Sequence, residues 1–204
     1  MTCNVIVIDN YDSFTFNLVD SLKKQKANVI VYRNSAPLDF IIDQIKKLEY
    51  PKCLILSPGP GNPQQAGICL DLIKATYRMI PILGICLGHQ SIGEAFGGKL
   101  DVDVNPFHGK VSTIEHEHHP LFSDLPSPME VGRYHSLYVK ELPSTLKVIA
   151  THQGMIMGLA HQHYPVYGLQ FHPESILTPY GDQIIENFMK MTIALSSEVN
   201  YALA

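Results

Sequence analysis

The segment Gly84-Ile85-Cys86-Leu87-Gly88 places one cysteine between an apolar run, residues 80–83, and a following helical pattern. Glycines two positions before and two after the cysteine allow a sharp turn, as in a nucleophile elbow, so the side chain projects above the sheet. At a helix N-terminus, unpaired N–H groups and the positive dipole end favour the thiolate. Cys86 is therefore predicted to be a nucleophile. The alternative is a buried structural cysteine beside an ordinary turn.

A cysteine nucleophile needs a base and a group that orients the base. The motif His172-Pro173-Glu174 follows the strand-like segment Val166 to Gln170. If that strand is parallel to the one before Cys86, the two motifs meet at the same edge of the sheet. Residues two apart in an extended segment point the same way, and Pro173 favours an extended His172. We therefore expect His172 to be the acid/base and Glu174 its orienter, although such a turn alone is also an ordinary loop.

Acyl transfer also needs hydrogen-bond donors for the oxyanion. The elbow supplies the N–H of Leu87. The loop Ser57-Pro58-Gly59-Pro60-Gly61 ends another strand-like segment, and its two prolines have no N–H, so Gly59 is the donor that this loop can aim across the site. A phosphate-binding loop is excluded, because no Gly-Lys-Ser/Thr is present and alternate residues cannot donate. A simple tight turn remains the structural alternative.

The segments that must position these motifs alternate between strand and helix. Strand-like runs are Val5 to Ile8, Val29 to Tyr32, Cys53 to Leu56 and Ile82 to Ile85; apolar residues at helical spacing follow each of them, the first helix with Asp12 or Ser13 as N-cap. This alternation predicts an α/β fold with a mostly parallel, doubly wound central sheet flanked by helices. Functional groups then belong at the carboxyl ends of the strands.

After Gly97-Gly98 the pattern changes to shorter β-like pieces, which predict an additional small antiparallel or mixed region. These pieces are Val111 to Glu115, Glu130 to Arg133, Val148 to Ala150, Met155 to Ala160 and Val166 to Gln170. A last helix is predicted over Tyr180 to Met191. We expect one domain over residues 1–195 and a frayed tail over residues 196–204.

The composition indicates a single globular domain and argues against some kinds of partner. The chain has 204 residues, a net charge of −4 and 17% charged residues, which suits one domain without a nucleic-acid or membrane-surface partner. Four cysteines in apolar segments, with no Cys-x-x-Cys pair, favour reduced thiols in the cytoplasm. The apolar start ends at Asp9, too early for a signal peptide. His116 and His118 alternate towards one side, but a solvated polar loop is the favoured interpretation, and no metal is expected.

These motifs together resemble the class I (triad) glutamine amidotransferases, and the resemblance covers nearly the whole chain. In that family a cysteine attacks the glutamine side-chain amide, a histidine protonates the leaving ammonia, and water releases glutamate from a thioester. The resemblance implies Cys86, His172 and Glu174 as the triad, with the N–H groups of Gly59 and Leu87 as the oxyanion hole. It also implies a set of glutamine-binding residues: Gly59, Pro60, Gly61, Gln90, Ser136 and Leu137.

Two further segments are similar to the small subunits of anthranilate synthase and aminodeoxychorismate synthase: residues 9–18 and His108-Gly109-Lys110. The resemblance implies that the partner is a chorismate-binding synthase chain, which receives ammonia and activates the glutaminase site. It implies no cofactor in this chain and Mg²⁺ in the partner. We expect the partner to dock near two loops, which comprise Asp12, Ser13, Phe14, His108, Gly109 and Lys110.

Anthranilate synthesis, for tryptophan, is the first hypothesis, and the surroundings of Gly154-Met155-Ile156-Met157 favour it slightly. Aminodeoxychorismate synthesis, for folate, or both, is the alternative. A stand-alone cysteine hydrolase would instead show no glutamine preference and no stimulation by a partner. A non-catalytic regulatory module is disfavoured, because Cys86, His172 and Glu174 are all present.

Overall fold

The computed structural model describes residues 2–103 and 109–202 of the chain, and side chains as far as residue 197. Within these residues, eleven strands form one sheet of nine and one of two. The strands are β1 (Asn4–Asp9), β2 (Asn28–Arg33), β3 (Lys52–Leu56), β4 (Ile82–Ile85), β5 (Lys99–Val102), β6 (Lys110–His116), β7 (Met129–Arg133), β8 (Leu137–Glu141), β9 (Leu146–His152), β10 (Met155–His161) and β11 (Val166–Leu169). The α-helices are α1 (Thr15–Lys24), α2 (Leu38–Lys47), α3 (Cys69–Thr76), α4 (Leu87–Ala95) and α5 (Gly181–Ala202).

The large sheet has the strand order β2-β1-β3-β4-β11-β10-β9-β6-β7. The first five strands are parallel, and the remaining four pair antiparallel. The predicted parallel sheet followed by a mixed region is therefore confirmed. The pairing of β11 with β4 is parallel and aligns Leu169 with Ile85. The chain segments after these two strands consequently leave the sheet side by side, at one edge.

Helices cover both faces of the sheet because the central strands carry apolar side chains on both faces. In β1, Val5 and Val7 join a core cluster with α1 and α5. The alternating residues Ile6 and Ile8 join a second cluster with α2, α3 and α4. All residues of β3, β4 and β11 are buried. Burying one such side chain stabilises the fold by about 1.5–3 kcal/mol, so the strands under the site are firmly held.

Helix α5 is longer than the sequence predicts. It begins at Gly181 and continues past Met191 to Ala202, through residues for which we expect a frayed tail. The helix persists because Thr192 and Ser196 are buried against the domain, and the Ser196 hydroxyl donates to the carbonyl of Thr192 at 2.9 Å. Burial of this face against the domain, rather than the helix propensity of the residues themselves, keeps the last turns helical.

The start of α1 also differs from the prediction. Phe14, not Asp12 or Ser13, occupies the N-cap position and makes no side-chain cap. The Asp12 carboxylate instead accepts a hydrogen bond from the N–H of Phe14 at 2.7 Å, and the Asp12 carbonyl accepts from Thr15. Asp12 thus stabilises a preceding turn, which fixes the direction in which Phe14 leaves the sheet edge.

Strands β5 and β8, which form the small sheet, are not predicted from the sequence. In β8 only Val139 is buried, and β5 has no buried residue, so neither strand shows a strong alternating pattern. Strand β8 starts at Leu137, one of the predicted glutamine-binding residues. The small sheet therefore places that residue over α4, with Val139 packed near Gly93.

Candidate active site

Cys86 lies at the turn between β4 and α4 with backbone angles φ 52° and ψ −101°. This left-handed region is costly for a residue with a side chain, and such strain concentrates at functional sites. The flanking glycines are required by close packing: a Cβ at Gly84 would strike the backbone of Gly88, and one at Gly88 would strike the carbonyl of Leu56 in β3. The predicted elbow is therefore present, but Cys86 is buried, with only 5% exposed, and is not presented to solvent as the elbow pattern alone predicts.

The first turn of α4 surrounds the cysteine with backbone donors. The Cys86 N–H is bound to the carbonyl of Leu169 at 2.8 Å, which ties the elbow to β11. Leu87 is the first residue of the helix, where N–H groups lack intrahelical acceptors and carry partial positive charge. A negative charge on the sulfur, or on an oxygen beside it, is stabilised at this point.

His172 and Glu174 form a buried pair. The Nδ1 atom of His172 donates to Oε1 of Glu174 at 2.7 Å, and the two residues are 2% and 8% exposed. Burial disfavours the imidazolium, but the charge of Cys86, and then the hydrogen bond and charge of Glu174, outweigh it and raise the pKa of His172 above its usual 6.5. Cys86 and His172 thus interact electrostatically, and Glu174 fixes the tautomer with Nδ1 protonated.

The other ring nitrogen, Nε2 of His172, is buried and makes no well-aligned hydrogen bond with any described residue. Catalytic hydrogen bonds are often loose before substrate binds, so this geometry suits a proton carrier waiting for its partner. The rings of Phe14 and Tyr134 lie against the imidazole, with centroid distances of 5.1 and 4.9 Å. They exclude water, which strengthens the interaction between His172 and Glu174.

We expect Glu174→Gln to lower the pKa of His172, because the carboxylate that stabilises the imidazolium becomes a neutral amide. In the native chain the ring then stays protonated through neutral pH, and in the variant it deprotonates at lower pH. Nitrogen-15 NMR of the histidine ring, recorded against pH, measures the change. Glu186→Gln, which alters a surface pair with Lys190, is the control. An unchanged titration of His172 would show that Glu174 has no electrostatic role.

Gly59 lies where the loop after β3 approaches the segment after β1. A Cβ at this position would come within 2.5 Å of the Asn10 Cβ and 2.7 Å of the Leu87 side chain. Asn10 holds the loop from below: its N–H donates to the Ser57 hydroxyl at 2.9 Å, and its side-chain amide donates to the Ser57 carbonyl at 2.8 Å. Asn34 in turn donates to the Asn10 side-chain oxygen at 2.9 Å. The Gly59 loop is thereby fixed beside the first turn of α4.

A cavity of about 160 Å³ opens beside Cys86. Its lining includes all the residues for which we expect glutamine binding, together with Cys86 and with Tyr134 and His135 from the loop after β7. The complete lining is Gly59, Pro60, Gly61, Cys86, Gln90, Tyr134, His135, Ser136 and Leu137. The cavity is smaller than the roughly 300–1,000 Å³ typical of sites for drug-sized ligands, so it fits one small metabolite. The structure therefore brings the sequence-predicted binding residues together around the cysteine.

The two segments expected to contact a partner also come close together. Asp12 and Phe14 are partly exposed, Ser13 is exposed, and the Phe14 ring lies 4.9 Å from that of Tyr134. Gly109 and Lys110 are exposed, and the Gly109 N–H donates to the carbonyl of Arg133, next to Tyr134. His108 lies outside the described residues. Tyr134 therefore connects both segments to His172.

Histidines of two His-rich segments, residues 116–119 and 161–163, form hydrogen bonds with backbone groups. The ring nitrogens of His116 lie 3.1 and 2.9 Å from the carbonyls of Glu117 and Pro126. His161 accepts hydrogen bonds from the N–H groups of His163 and Tyr164. In residues 2–103 and 109–202, no three His, Cys, Asp or Glu side chains are grouped so that they could hold a metal ion.

Four residues of this site have no role in the sequence-based prediction: Asn10, Tyr134, His135 and Gln170. Asn10 lies inside residues 9–18, which the resemblance singles out, and Tyr134 lies just before the predicted Ser136, but the contacts of both residues join positions far apart in the chain. Gln170 is fully buried and its Nε2 lies 3.8 Å from the Cys86 sulfur. An amide at the end of a strand carries no local signal of such a contact.

The fold and this cavity together define the class of the protein. Residues 6–192 match the family model for glutamine amidotransferase class-I. The chain belongs to the class-I glutamine amidotransferase family.

Two similar proteins within that class carry the same name. The chain is 48% identical over 186 residues to "Anthranilate synthase component 2" of Buchnera aphidicola subsp. Acyrthosiphon pisum, a match that covers 91% of this chain and 92% of the relative. It is 43% identical over 190 residues to the protein of the same name from Vibrio parahaemolyticus, covering 93% and 96%.

A solved structure agrees with the assignment of the fold. A protein of Thermoplasma acidophilum, described as a "putative gmp synthase subunit a protein", superposes with a TM-score of 0.85 at 26% identity, over 98% of both chains. The described part of this chain contains no helix long and apolar enough to cross a membrane.

Proposed function

We propose that the chain is the glutamine-hydrolysing subunit of an anthranilate synthase, acting in the cytoplasm and passing ammonia to a chorismate-binding partner. The observation that carries the proposal is the cavity beside Cys86, in which a strained cysteine, a buried His–Glu pair and backbone donors converge. The names of the relatives support the choice of reaction.

In the proposed reaction, the Cys86 sulfur attacks the side-chain carbonyl carbon of glutamine. The carbonyl oxygen becomes an oxyanion beside the N–H groups of Gly59 and Leu87. His172, protonated at Nε2, gives that proton to the leaving nitrogen, so ammonia departs and a glutamyl thioester remains. Water then attacks the thioester and gives a proton to His172. Glutamate leaves, and the cysteine and histidine return to their starting states.

The cavity also explains why a second protein is needed. About 160 Å³ beside Cys86 holds one small amino acid and leaves no space for an aromatic acceptor in the same chamber. This supports the proposal that the acceptor binds to the partner, to which the ammonia then travels. Free thiols at all four cysteines suit a reducing compartment.

The experiment mixes the purified chain with anthranilate synthase component I, chorismate, glutamine and Mg²⁺, and follows anthranilate by its fluorescence. A parallel reaction contains the aminodeoxychorismate partner instead. Glutamine-dependent anthranilate in the first mixture supports the proposal. Product only with the second partner would assign the chain to aminodeoxychorismate synthesis, and glutamine-dependent product with neither would overturn the proposal.

Tyr134 gives the proposed docking surface a physical link to catalysis. The Phe14 ring contacts both Tyr134 and His172, and Gly109 packs beside Tyr134, where an added Cβ would lie 3.4 Å from the ring. A partner seated on these two segments would press directly on the aromatic side chains that hold the imidazole. Docking and glutaminase activity are then mechanically connected.

We expect Ser13→Arg to weaken association with component I, because a long charged side chain at this exposed position would be buried on docking. The dissociation constant should rise about tenfold or more, equivalent to about 1.4 kcal/mol. Isothermal titration calorimetry with purified component I measures it. Ser144→Arg, at an exposed serine before β9 and away from this edge of the sheet, is the matched control. Equal affinities for the two variants would place the docking surface elsewhere.

A further inference from the structure

Two buried glutamine side chains connect the wall of the cavity to the Cys86 sulfur. The Gln90 side-chain nitrogen donates to the Leu137 carbonyl at 2.7 Å and to the Gln170 side-chain oxygen at 3.3 Å. The Gln170 side-chain nitrogen lies 3.8 Å from the Cys86 sulfur, with which it forms a hydrogen bond. Gln170 is fully buried and Gln90 is 3% exposed, so water does not compete for these bonds.

At its far end the chain of hydrogen bonds meets a second buried polar pair on the Leu137 carbonyl. Arg133 is fully buried and donates from Nε to Nε2 of His135 at 3.1 Å. Because a guanidinium can only donate, Nε2 of His135 must accept, and its proton must be on Nδ1. Burial and the neighbouring Arg133 lower the pKa of His135 to about 3, so the ring is neutral at physiological pH. Nδ1 then donates to the Leu137 carbonyl at 3.0 Å.

The Leu137 carbonyl sets the direction of the remaining bonds. The Leu137 carbonyl can only accept, so the NH₂ group, rather than the oxygen, of Gln90 must face it. That NH₂ group also faces Gln170, so Gln170 presents its oxygen to Gln90 and its own NH₂ group to Cys86. The orientation of both amides is therefore dictated by the network. If the Gln90 amide were turned the other way, its oxygen would face the Leu137 carbonyl oxygen. Two buried acceptors that face each other without a proton between them are costly.

We propose that Gln170 stabilises the thiolate of Cys86 by donating a hydrogen bond to its sulfur, and that Gln90 orients it. This inference rests on the proposed function only in taking Cys86 as the nucleophile. A hydrogen bond to a charged acceptor is stronger than one to a neutral thiol, so the donor favours the ionised form. Because Gln90 also lines the cavity, the same chain links the substrate-binding wall to the reactivity of the sulfur.

The test measures alkylation of Cys86 by iodoacetamide against pH, with the modified residue identified by mass spectrometry. The other cysteines are poor competitors: Cys3 is 2% exposed, and burial raises the pKa of Cys53 and, to about 12, that of Cys69. Gln170→Met keeps the size and removes the donor. We expect alkylation at pH 7 to slow roughly tenfold, with the pH profile displaced to higher pH.

Gln170→Glu is the second variant, because it keeps an oxygen acceptor for Gln90 and replaces only the NH₂ group that faces the sulfur. We expect alkylation at least as slow as in Gln170→Met. In the complex, the glutamine-dependent kcat should fall for both variants with little change in KM. Asn187→Leu, which removes another buried amide that is bound to the carbonyls of Leu121 and Ser123, controls for a general loss of stability.

A native pH profile of alkylation in a folded Gln170 variant would overturn the inference, and so would equal slowing in Asn187→Leu. If Gln170→Met does not fold, the profile of Gln170→Leu, which also removes the donor without adding a charge, decides. These outcomes are separate from the proposed function, which fails instead if the complex uses glutamine without Cys86.

Discussion

Cys86→Ala abolishes glutamine-dependent anthranilate synthesis by the assembled enzyme and leaves ammonia-dependent synthesis intact. Without the sulfur, no thioester forms, and the histidine and the oxyanion donors have no nucleophile to assist. Loss of the nucleophile in comparable covalent mechanisms lowers kcat by about 10⁴-fold or more. Anthranilate fluorescence, measured with glutamine and then with ammonium salts at high pH, separates the two activities.

Cys3→Ala is the matched control for this experiment, since Cys3 is also a buried free thiol and lies just before β1. It should retain both activities. A Cys86→Ala complex that still uses glutamine would exclude the cysteine as nucleophile. Loss of ammonia-dependent synthesis as well would instead indicate that the substitution damages the complex.

Gly59→Ala lowers glutamine-dependent kcat about 100-fold, the loss that follows removal of one oxyanion donor. The new methyl group would overlap Asn10, at 2.5 Å from its Cβ and 2.8 Å from its carbonyl oxygen, as well as the Leu87 side chain. Since Asn10 is held by Ser57 and Asn34, the loop itself must move, and the Gly59 N–H moves with it. Steady-state kinetics with glutamine, in the presence of component I, measures the effect.

The control is Gly93→Ala in α4, where the nearest contact of the added methyl group is the side chain of Val139, at 2.8 Å. Val139 is buried and stiff, so α4 and β8 must shift slightly, but the Gly59 loop is not displaced and this variant should keep most of its activity. If Gly59→Ala is as active as Gly93→Ala, the loop does not supply the oxyanion donor. Thermal unfolding of both variants shows whether either change acts through stability.

The parallel pairing of two strands, which the sequence predicts, places Cys86 and His172 near each other. Strands β4 and β11 are both short apolar runs, and once they are paired in parallel, Cys86 and His172 must emerge at one edge. The glycines around Cys86 predict the elbow because only residues without a side chain permit that packing. Local pattern and topology agree here, which is why the prediction succeeds.

Contacts between distant polar side chains could not be predicted in this way. Asn10 binds Ser57, and Gln170 meets Gln90 and Cys86, across separations of 47 to 84 residues. Nothing in the type or spacing of an asparagine or glutamine specifies its partner, because both can donate and accept in any loop. Strand β8 is not predicted for a related reason, since a mostly exposed strand leaves little periodic pattern.

The position of Phe14 has a consequence for how much glutamine the cell consumes. One aromatic ring belongs to the surface on which we expect component I to sit and also touches the imidazole that carries the proton. Turnover would therefore be coupled to assembly, so that an unassembled copy spares the glutamine pool and nitrogen is freed only where an acceptor waits to capture it.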